Sequence, residues 1–227
     1  NLSTNQGFGY KLYALTDSGA PIDLVVTALG TYTPQKVQAN SVKGSFAQVN
    51  VKSGTSVDLR FSFVNRQTGA AVVIESLYIT FFDLDLAESE VLTVSGFERY
   101  LMRSDAGEIV AGSGSTSAIE VVASGDGVRF IAKETGNAGD NPKDPLQLTA
   151  LQQRRSVSLL FLSKSSFDAR FEVLSGPGGR SVLFGGTSSL VTELCPTQTP
   201  TVMPSKPPRR RFTRPPTAVP SIAPTAT

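Results

Sequence analysis

The sequence contains no histidine, no tryptophan and a single cysteine among its 227 residues. Histidine is the commonest general base and a frequent metal ligand, so its absence argues against most enzyme active sites. One cysteine, Cys195, excludes an intrachain disulfide and leaves no thiolate cluster for zinc. We therefore expect a protein that is not an enzyme and that is stabilised by a hydrophobic core.

No apolar run approaches 18 residues, so no membrane-spanning helix is expected. Acidic residues are also missing from the last 32 residues, which contain five basic ones. The remaining body holds 21 − 5 = 16 basic against 19 acidic residues, a net charge of −3. An acidic body with a basic arm is able to attract another copy of itself. Because the arm carries no base-reading motif, we do not expect nucleic-acid binding.

Prolines recur at every fourth position from residue 196 onward, and Phe212 stands where one proline is missing. Such a segment has too little apolar surface to form a core, and its prolines favour an extended polyproline II rod. We therefore predict a globular domain over residues 1–195 and an extended tail over residues 196–227. A flexible linker is the alternative interpretation of the tail.

A rod that presents proline and hydroxyl side chains in all directions suits dense O-glycosylation. Asn1-Leu2-Ser3 is in addition an N-glycosylation sequon. The sequon, and a first residue other than Met, favour a secreted or cell-surface protein whose signal peptide has been removed. The predicted glycosylation sites are Asn1, Pro196, Thr197, Pro200, Thr201, Pro204, Ser205, Pro216, Thr217, Pro220, Ser221, Pro224 and Thr225.

The body alternates apolar and polar residues in about a dozen short segments that are separated by glycine turns. This pattern predicts an all-β fold, an antiparallel β-sandwich of jelly-roll or immunoglobulin-like type, with a closed barrel as the lesser alternative. Residues 145–155 are the single helix candidate. Residues 70–82 form a nearly continuous apolar run, which predicts a central strand covered on both faces. The other predicted strands are 8–15, 22–29, 46–51, 55–64, 90–94, 118–122, 127–132, 156–162, 169–174 and 181–184.

Acidic residues follow the long apolar run directly. Asp83 and Asp85 lie on the same side of the predicted strand end, and Glu88 and Glu90 follow across a tight loop. Clustered oxygen ligands in a loop suit Ca²⁺, and residues 140–144 are able to add ligands from another loop. The sequence thus predicts calcium as the one candidate cofactor, with a solvated acidic turn as the alternative.

The interrupted repeat is the candidate partner-binding element of the tail. One aromatic side chain is surrounded by four arginines, which offer bidentate pairing to carboxylates. A buried phenylalanine ringed by arginines is typical of a docking anchor, whereas a site for basic-specific proteolysis is the alternative. The residues concerned are Arg209, Arg210, Arg211, Phe212 and Arg214.

Two parts of the sequence resemble known classes of protein. The repeats PTQTPTVMPSKP and PTAVPSIAPTAT resemble the Pro-Ser/Thr repeats of microalgal surface proteins and, more loosely, the hydroxyproline-rich extensins. The stretch VDLRFSFVNRQTGAAVVIESLYITFFDLD is similar in style to secreted β-sandwich modules of adhesins and lectins. These resemblances imply an extracellular setting, without implying any particular site residues.

Two functions follow as hypotheses. The first is a structural subunit of an extracellular glycosylated filament or cell-surface layer, which assembles head-to-tail with copies of itself through its C-terminal arm. The second is a monomeric adhesion or glycan-binding module on a mucin-like stalk.

Overall fold

The structure is a computed structural model that describes residues 8–15, 21–112, 114–125, 127–137, 139–186 and 188. Short strands dominate it, and one helix, α1 (Ala150–Arg154), and one 3₁₀ turn, Val37–Ala39, accompany them. The strands are β1 (Phe8–Leu15), β2 (Pro21–Ala28), β3 (Ser41–Lys43), β4 (Phe46–Lys52), β5 (Thr55–Asn65), β6 (Ile74–Phe82), β7 (Glu90–Val94), β8 (Arg99–Arg103), β9 (Ile109–Ala111), β10 (Ile119–Ser124), β11 (Gly127–Ala132), β12 (Val157–Lys164), β13 (Ser166–Val173) and β14 (Gly179–Gly185).

The strands form two sheets of seven. Sheet one has the order β1-β2-β5-β13-β7-β11-β10, and sheet two has the order β3-β4-β14-β6-β12-β8-β9. All strand pairs within the described ranges are antiparallel. Two open sheets confirm the predicted all-β sandwich and rule out the closed barrel for the described part of the chain.

The core lies between the sheets and follows from period-2 alternation. Along β2 every second residue is buried, and β5 buries Val57, Leu59, Phe61 and Phe63 in the same way. The ring of Phe61 stacks on Phe167 of its own sheet at a centroid distance of 4.6 Å. It also meets two rings of sheet two edge-on, those of Phe81 at 6.0 Å and Phe184 at 5.1 Å. Phe61 therefore joins the two sheets.

The long apolar run is shorter as a strand than predicted. Residues 70–73 form only an isolated bridge from Ala71 to Val64, and β6 begins at Ile74. β6 is central, the fourth of the seven strands of sheet two. Only its last four residues are buried on both faces, whereas Val73, just before the strand, is 63% exposed. The prediction of two covered faces is thus correct for the second half of the strand alone.

The connection from β11 to β12 crosses from sheet one to sheet two and covers part of the outer face of sheet two. Phe46, Phe82 and Leu183 point to that face, because their neighbours along each strand belong to the main core. Leu148 of the connection packs on these three side chains in a small second apolar cluster. Here the predicted helix over 145–155 is reduced to α1, which begins with a capping box between Thr149 and Gln152.

Replacing Phe61 with Ala tests the inter-sheet packing. We expect the free energy of unfolding to fall by about 3–5 kcal/mol, because the change leaves a cavity between both sheets. Val73→Ala is the control, since this exposed side chain should alter the value by no more than about 0.5 kcal/mol. Urea unfolding of both variants measures the difference, and equal losses would contradict the assigned core.

Candidate functional site

An open cleft of about 780 Å³ lies on the outer face of sheet two. Residues of β3, β4 and β14 form its floor, the start of the β6–β7 loop forms one end, and residues 136, 137 and 141–143 form a wall. Its lining residues are Lys43, Gly44, Phe46, Gln48, Asp83, Asp85, Glu90, Gly136, Asn137, Asn141, Pro142, Lys143, Gly179, Arg180, Ser181 and Leu183. The cleft thus combines two nearly buried apolar side chains, Phe46 and Leu183, with polar groups and charged groups of both signs.

The backbone at the end of β6 fixes the direction of the two aspartates. Asp83 adopts a left-handed conformation with φ of 63°, which Asp tolerates better than most residues and which ends the strand. The next amide, that of Leu84, donates to the carbonyl oxygen of Arg155 at 3.0 Å, and the amide of Gly136 donates to the carbonyl oxygen of Asp85 at 2.7 Å. These bonds attach the strand end to the connection that forms the wall.

Three carboxylates converge at this end of the cleft. Each of Asp83, Asp85 and Asp140 places an oxygen within 4.8 Å of the oxygens of the other two. Hard oxygen ligands at such a separation are what Ca²⁺ requires, and the group joins two segments that are far apart in sequence. The arrangement is therefore chemically able to hold a divalent cation.

Arg155 is the buried countercharge of the cluster. Its side chain is only 8% exposed, and its guanidinium lies 2.6 Å from Asp140, 3.2 Å from Glu134 and 3.8 Å from Asp85. It also donates to the carbonyl oxygen of Thr135 at 3.4 Å. One arginine thereby fixes the wall of the cleft to the end of β6.

Glu90 lies beneath the cluster at the first position of β7, and it is 2% exposed. One of its carboxylate oxygens accepts hydrogen bonds from the amides of Asp85 at 2.8 Å and Leu86 at 3.1 Å, so it organises the loop. Its other oxygen lies 3.8 Å from Nε of Arg180. Burial raises the pKa of Glu90 to about 7 in spite of these partners.

Burial also raises the pKa of Asp83 to about 7, and the negative charges of Asp85, Glu90 and Asp140 add to the shift. Arg155 is the one positive charge that opposes it. The pKa of Asp85 is raised as well, mainly by burial and then by Asp140. The electrostatic potential at Asp83 is thus negative, and a bound cation would favour its ionised form.

Gly136 permits the close approach of wall and strand end. A Cβ at this position would lie 1.6 Å from Oδ2 of Asp85 and 2.7 Å from the guanidinium of Arg155. Any larger residue would therefore displace the carboxylate from the cluster. The need for glycine here comes from a contact with a residue 51 positions earlier in the chain, not from the local turn.

The structure brings together only some of the predicted metal ligands. Asp83 and Asp85 form the cluster with Asp140, a residue of the predicted second loop, while Glu90 supports it from below. Glu88 is not brought to the cluster: its side chain is 75% exposed and pairs with Lys133 at 3.1 Å. Asp144 instead accepts from the amide of Leu146 in its own turn.

The remaining predicted sites lie outside the described residues. This holds for the sequon at Asn1, for Cys195, and for every predicted glycosylation and docking residue of the tail from residue 196 onward. The boundary at residue 195 and the extended tail accordingly stay predictions.

The pH dependence of stability tests the environment of Asp83. In an unfolded chain its pKa is about 4, whereas in the folded chain the pKa is about 7. The folded protein therefore holds an extra proton between these values, so the stabilisation present below pH 4 is lost as the pH rises to 7. Relative to Asp83→Asn, the wild type should lose up to about 1.4 kcal/mol for each pH unit in this window.

Glu75→Gln is the control, because this side chain is exposed on the first half of β6. Chemical denaturation between pH 4 and pH 8 measures the difference. An equal pH dependence of the wild type and Asp83→Asn would contradict the proposed environment.

Calcium should raise the melting temperature at pH 8, because a cation offsets the mutual repulsion of the carboxylates. An ion at 100 times its dissociation constant stabilises the folded state by about 2.7 kcal/mol. Asp83→Asn should abolish the response, whereas Glu88→Gln should retain it because Glu88 lies away from the cluster. If the melting curves with calcium and with chelator are the same, the cluster does not bind a structural ion, and the acidic turn remains as its interpretation.

The sequence matches no protein-family model and no curated protein. Among solved structures, it is similar to the N-terminal domain of the adhesin Sgo0707 of Streptococcus gordonii, with 12% identity and a TM-score of 0.40. The similarity covers 80% of this chain and 47% of that chain, so this chain spans about half the length of the adhesin structure. Within the described part of the chain, no helix has the length and apolarity needed to span a membrane.

Proposed function

We propose that the chain is a structural subunit of an extracellular filament or cell-surface layer, in which the sandwich binds a partner through the cleft of sheet two. The partner is another copy of the chain, engaged through its basic C-terminal arm. Glycans on the arm keep it extended and soluble. The observation that supports this proposal is the cleft, an open surface with Phe46 and Leu183 in its floor and a partly buried charge cluster at one end.

The free-energy cost of the cluster is the physical argument. Burial and like charges raise the pKa values of Asp83 and Glu90 to about 7, so ionising them in the folded state costs free energy. A passive spacer domain gains nothing from carboxylates of this kind beside an open surface. A domain whose carboxylates bind a cationic group regains part of this free energy on binding. Groups with shifted pKa values are often found in the binding clefts of proteins.

The alternative is a monomeric adhesion or glycan-binding module on a mucin-like stalk, at the cell surface. Exposed amide side chains of Asn137 and Asn141 line the cleft, and they suit hydrogen bonds to sugar hydroxyl groups. The carboxylate cluster would then hold calcium beside the glycan. The two functions differ in the partner and share the binding surface.

The state of association of the full chain tests the proposal. We expect wild-type protein to form species well above its monomer mass of 24.0 kDa as its concentration rises. Gln48→Lys places a positive charge in the cleft without touching the core, and it should reduce association. Ser62→Lys is the matched control, since it adds the same charge to the outer face of sheet one.

Sedimentation velocity and negative-stain images record the outcome. Filaments or large oligomers that are lost in Gln48→Lys and kept in Ser62→Lys support assembly through the cleft. A monomer at every concentration contradicts assembly, and a glycan array with calcium and with chelator then tests the adhesion module.

A further inference from the structure

We infer that the segment bound in the cleft is residues 209–214 of another copy, with Phe212 on the apolar floor and its flanking arginines at the carboxylates. This inference rests on the proposed function, because it requires the cleft to be a binding surface. It identifies the partner as an arginine-rich peptide with one aromatic anchor.

The charges at the end of the cleft favour a guanidinium group. Asp83, Asp85 and Asp140 each place an oxygen within 4.8 Å of the others, and Arg155 lies 3.8 Å from Asp85 and 2.6 Å from Asp140. Within the described ranges Asp83 forms no ion pair and its carboxylate accepts no hydrogen bond, so its oxygens are available to a partner. Arginine presents paired N–H groups that match a carboxylate, and it keeps its charge at any relevant pH.

The cleft is not acidic throughout, which restricts where the arginines bind. Lys43 and Lys143 are exposed in its lining, and Arg180 lies near Glu90. Lys43 and Lys143 repel arginines of a partner, while Arg180 lies at the acidic end and already opposes the charge of Asp85. Asp83, which forms no ion pair within the described ranges, is therefore the carboxylate assigned to an arginine of the partner. The charge pattern therefore selects an orientation of the bound peptide.

The floor of the cleft suits an aromatic side chain. Phe46 and Leu183 line the cleft and belong to the small apolar cluster with Phe82 and Leu148. In the tail, Phe212 replaces the proline that the repeat would supply, and it is the only aromatic residue after residue 195. Phe46 and Leu183 are only 4% and 9% exposed, so burial of this ring against them removes mainly the apolar surface of Phe212 itself from water.

The chain is long enough for the contact. The last described residue is Ser188, and Arg209 follows 209 − 188 = 21 residues later. A segment of that length reaches at most roughly 70 Å. This exceeds the length of any strand of the sandwich, so the arm of one copy is able to reach a neighbour.

Binding of a labelled synthetic peptide of residues 205–216 to the full chain tests the inference. The receptor carries Arg209→Ser, Arg210→Ser, Arg211→Ser and Phe212→Ala, so that its own arm does not compete. We expect saturable fluorescence anisotropy that weakens as salt rises, because the contact is partly electrostatic. A peptide with Ala in place of Phe212 should bind about tenfold more weakly or worse.

Receptor variants locate the site. Asp83→Asn and Gln48→Lys, each added to the receptor, should weaken binding of the peptide several-fold, whereas the controls Glu75→Gln and Ser62→Lys should not. Equal binding to all four receptors, or equal affinity of the Phe212 and Ala peptides, would overturn the inference. If the peptide does not bind but Gln48→Lys still reduces association of the full chain, the inference fails and the proposed function stands. If Gln48→Lys associates like the wild type, the proposed function fails.

Discussion

The buried guanidinium of Arg155 is the interaction on which the cleft depends. It bonds to Asp140 at 2.6 Å and to Glu134 at 3.2 Å on the wall, and it lies 3.8 Å from Asp85 at the end of β6. Without it, Asp85 and Asp140 would lose their ion pairs, and Arg180 near Glu90 would be the countercharge that is left in a partly buried acidic site. Removal of one partner from a buried ion pair costs about 3–5 kcal/mol, mostly because the remaining charges stay unpaired.

The floor of the cleft is held in place by strand pairing and core packing rather than by ion pairs. The strands β4, β14 and β6 are hydrogen-bonded neighbours in sheet two, and their inner faces are part of the main core. Their outer faces carry Phe46, Leu183 and Phe82 against Leu148. The β11–β12 connection covers part of this outer face, and the cleft is the part beside it that stays uncovered. The shape of the cleft therefore depends on the contacts that hold the connection to sheet two.

Sequence patterns predict the sandwich well because strand alternation is local. The buried residues of β2 and β5 follow directly from period-2 alternation, and so do the limits of β7. The strands β3, β8 and β9 escape prediction, and β3 and β9 do so because three residues carry too little pattern. The first half of β6 is less covered than predicted because Glu75 and Ser76 interrupt the apolar run, and both are exposed.

The candidate site is predictable only in part, because its members lie far apart in sequence. Asp83 and Asp85 stand out after an apolar run, but Glu88 has the same local appearance and points away to Lys133. No local signal marks Arg155 as buried, and the need for glycine at position 136 arises from Asp85. The residues that escape prediction are those whose role depends on contacts with distant parts of the chain. Because burial and neighbouring carboxylates raise the pKa of Asp83 to about 7, a cation that binds there below that pH must displace a proton. Calcium and an arginine side chain would therefore compete for the same ionised carboxylates, and both would bind more weakly at acidic pH.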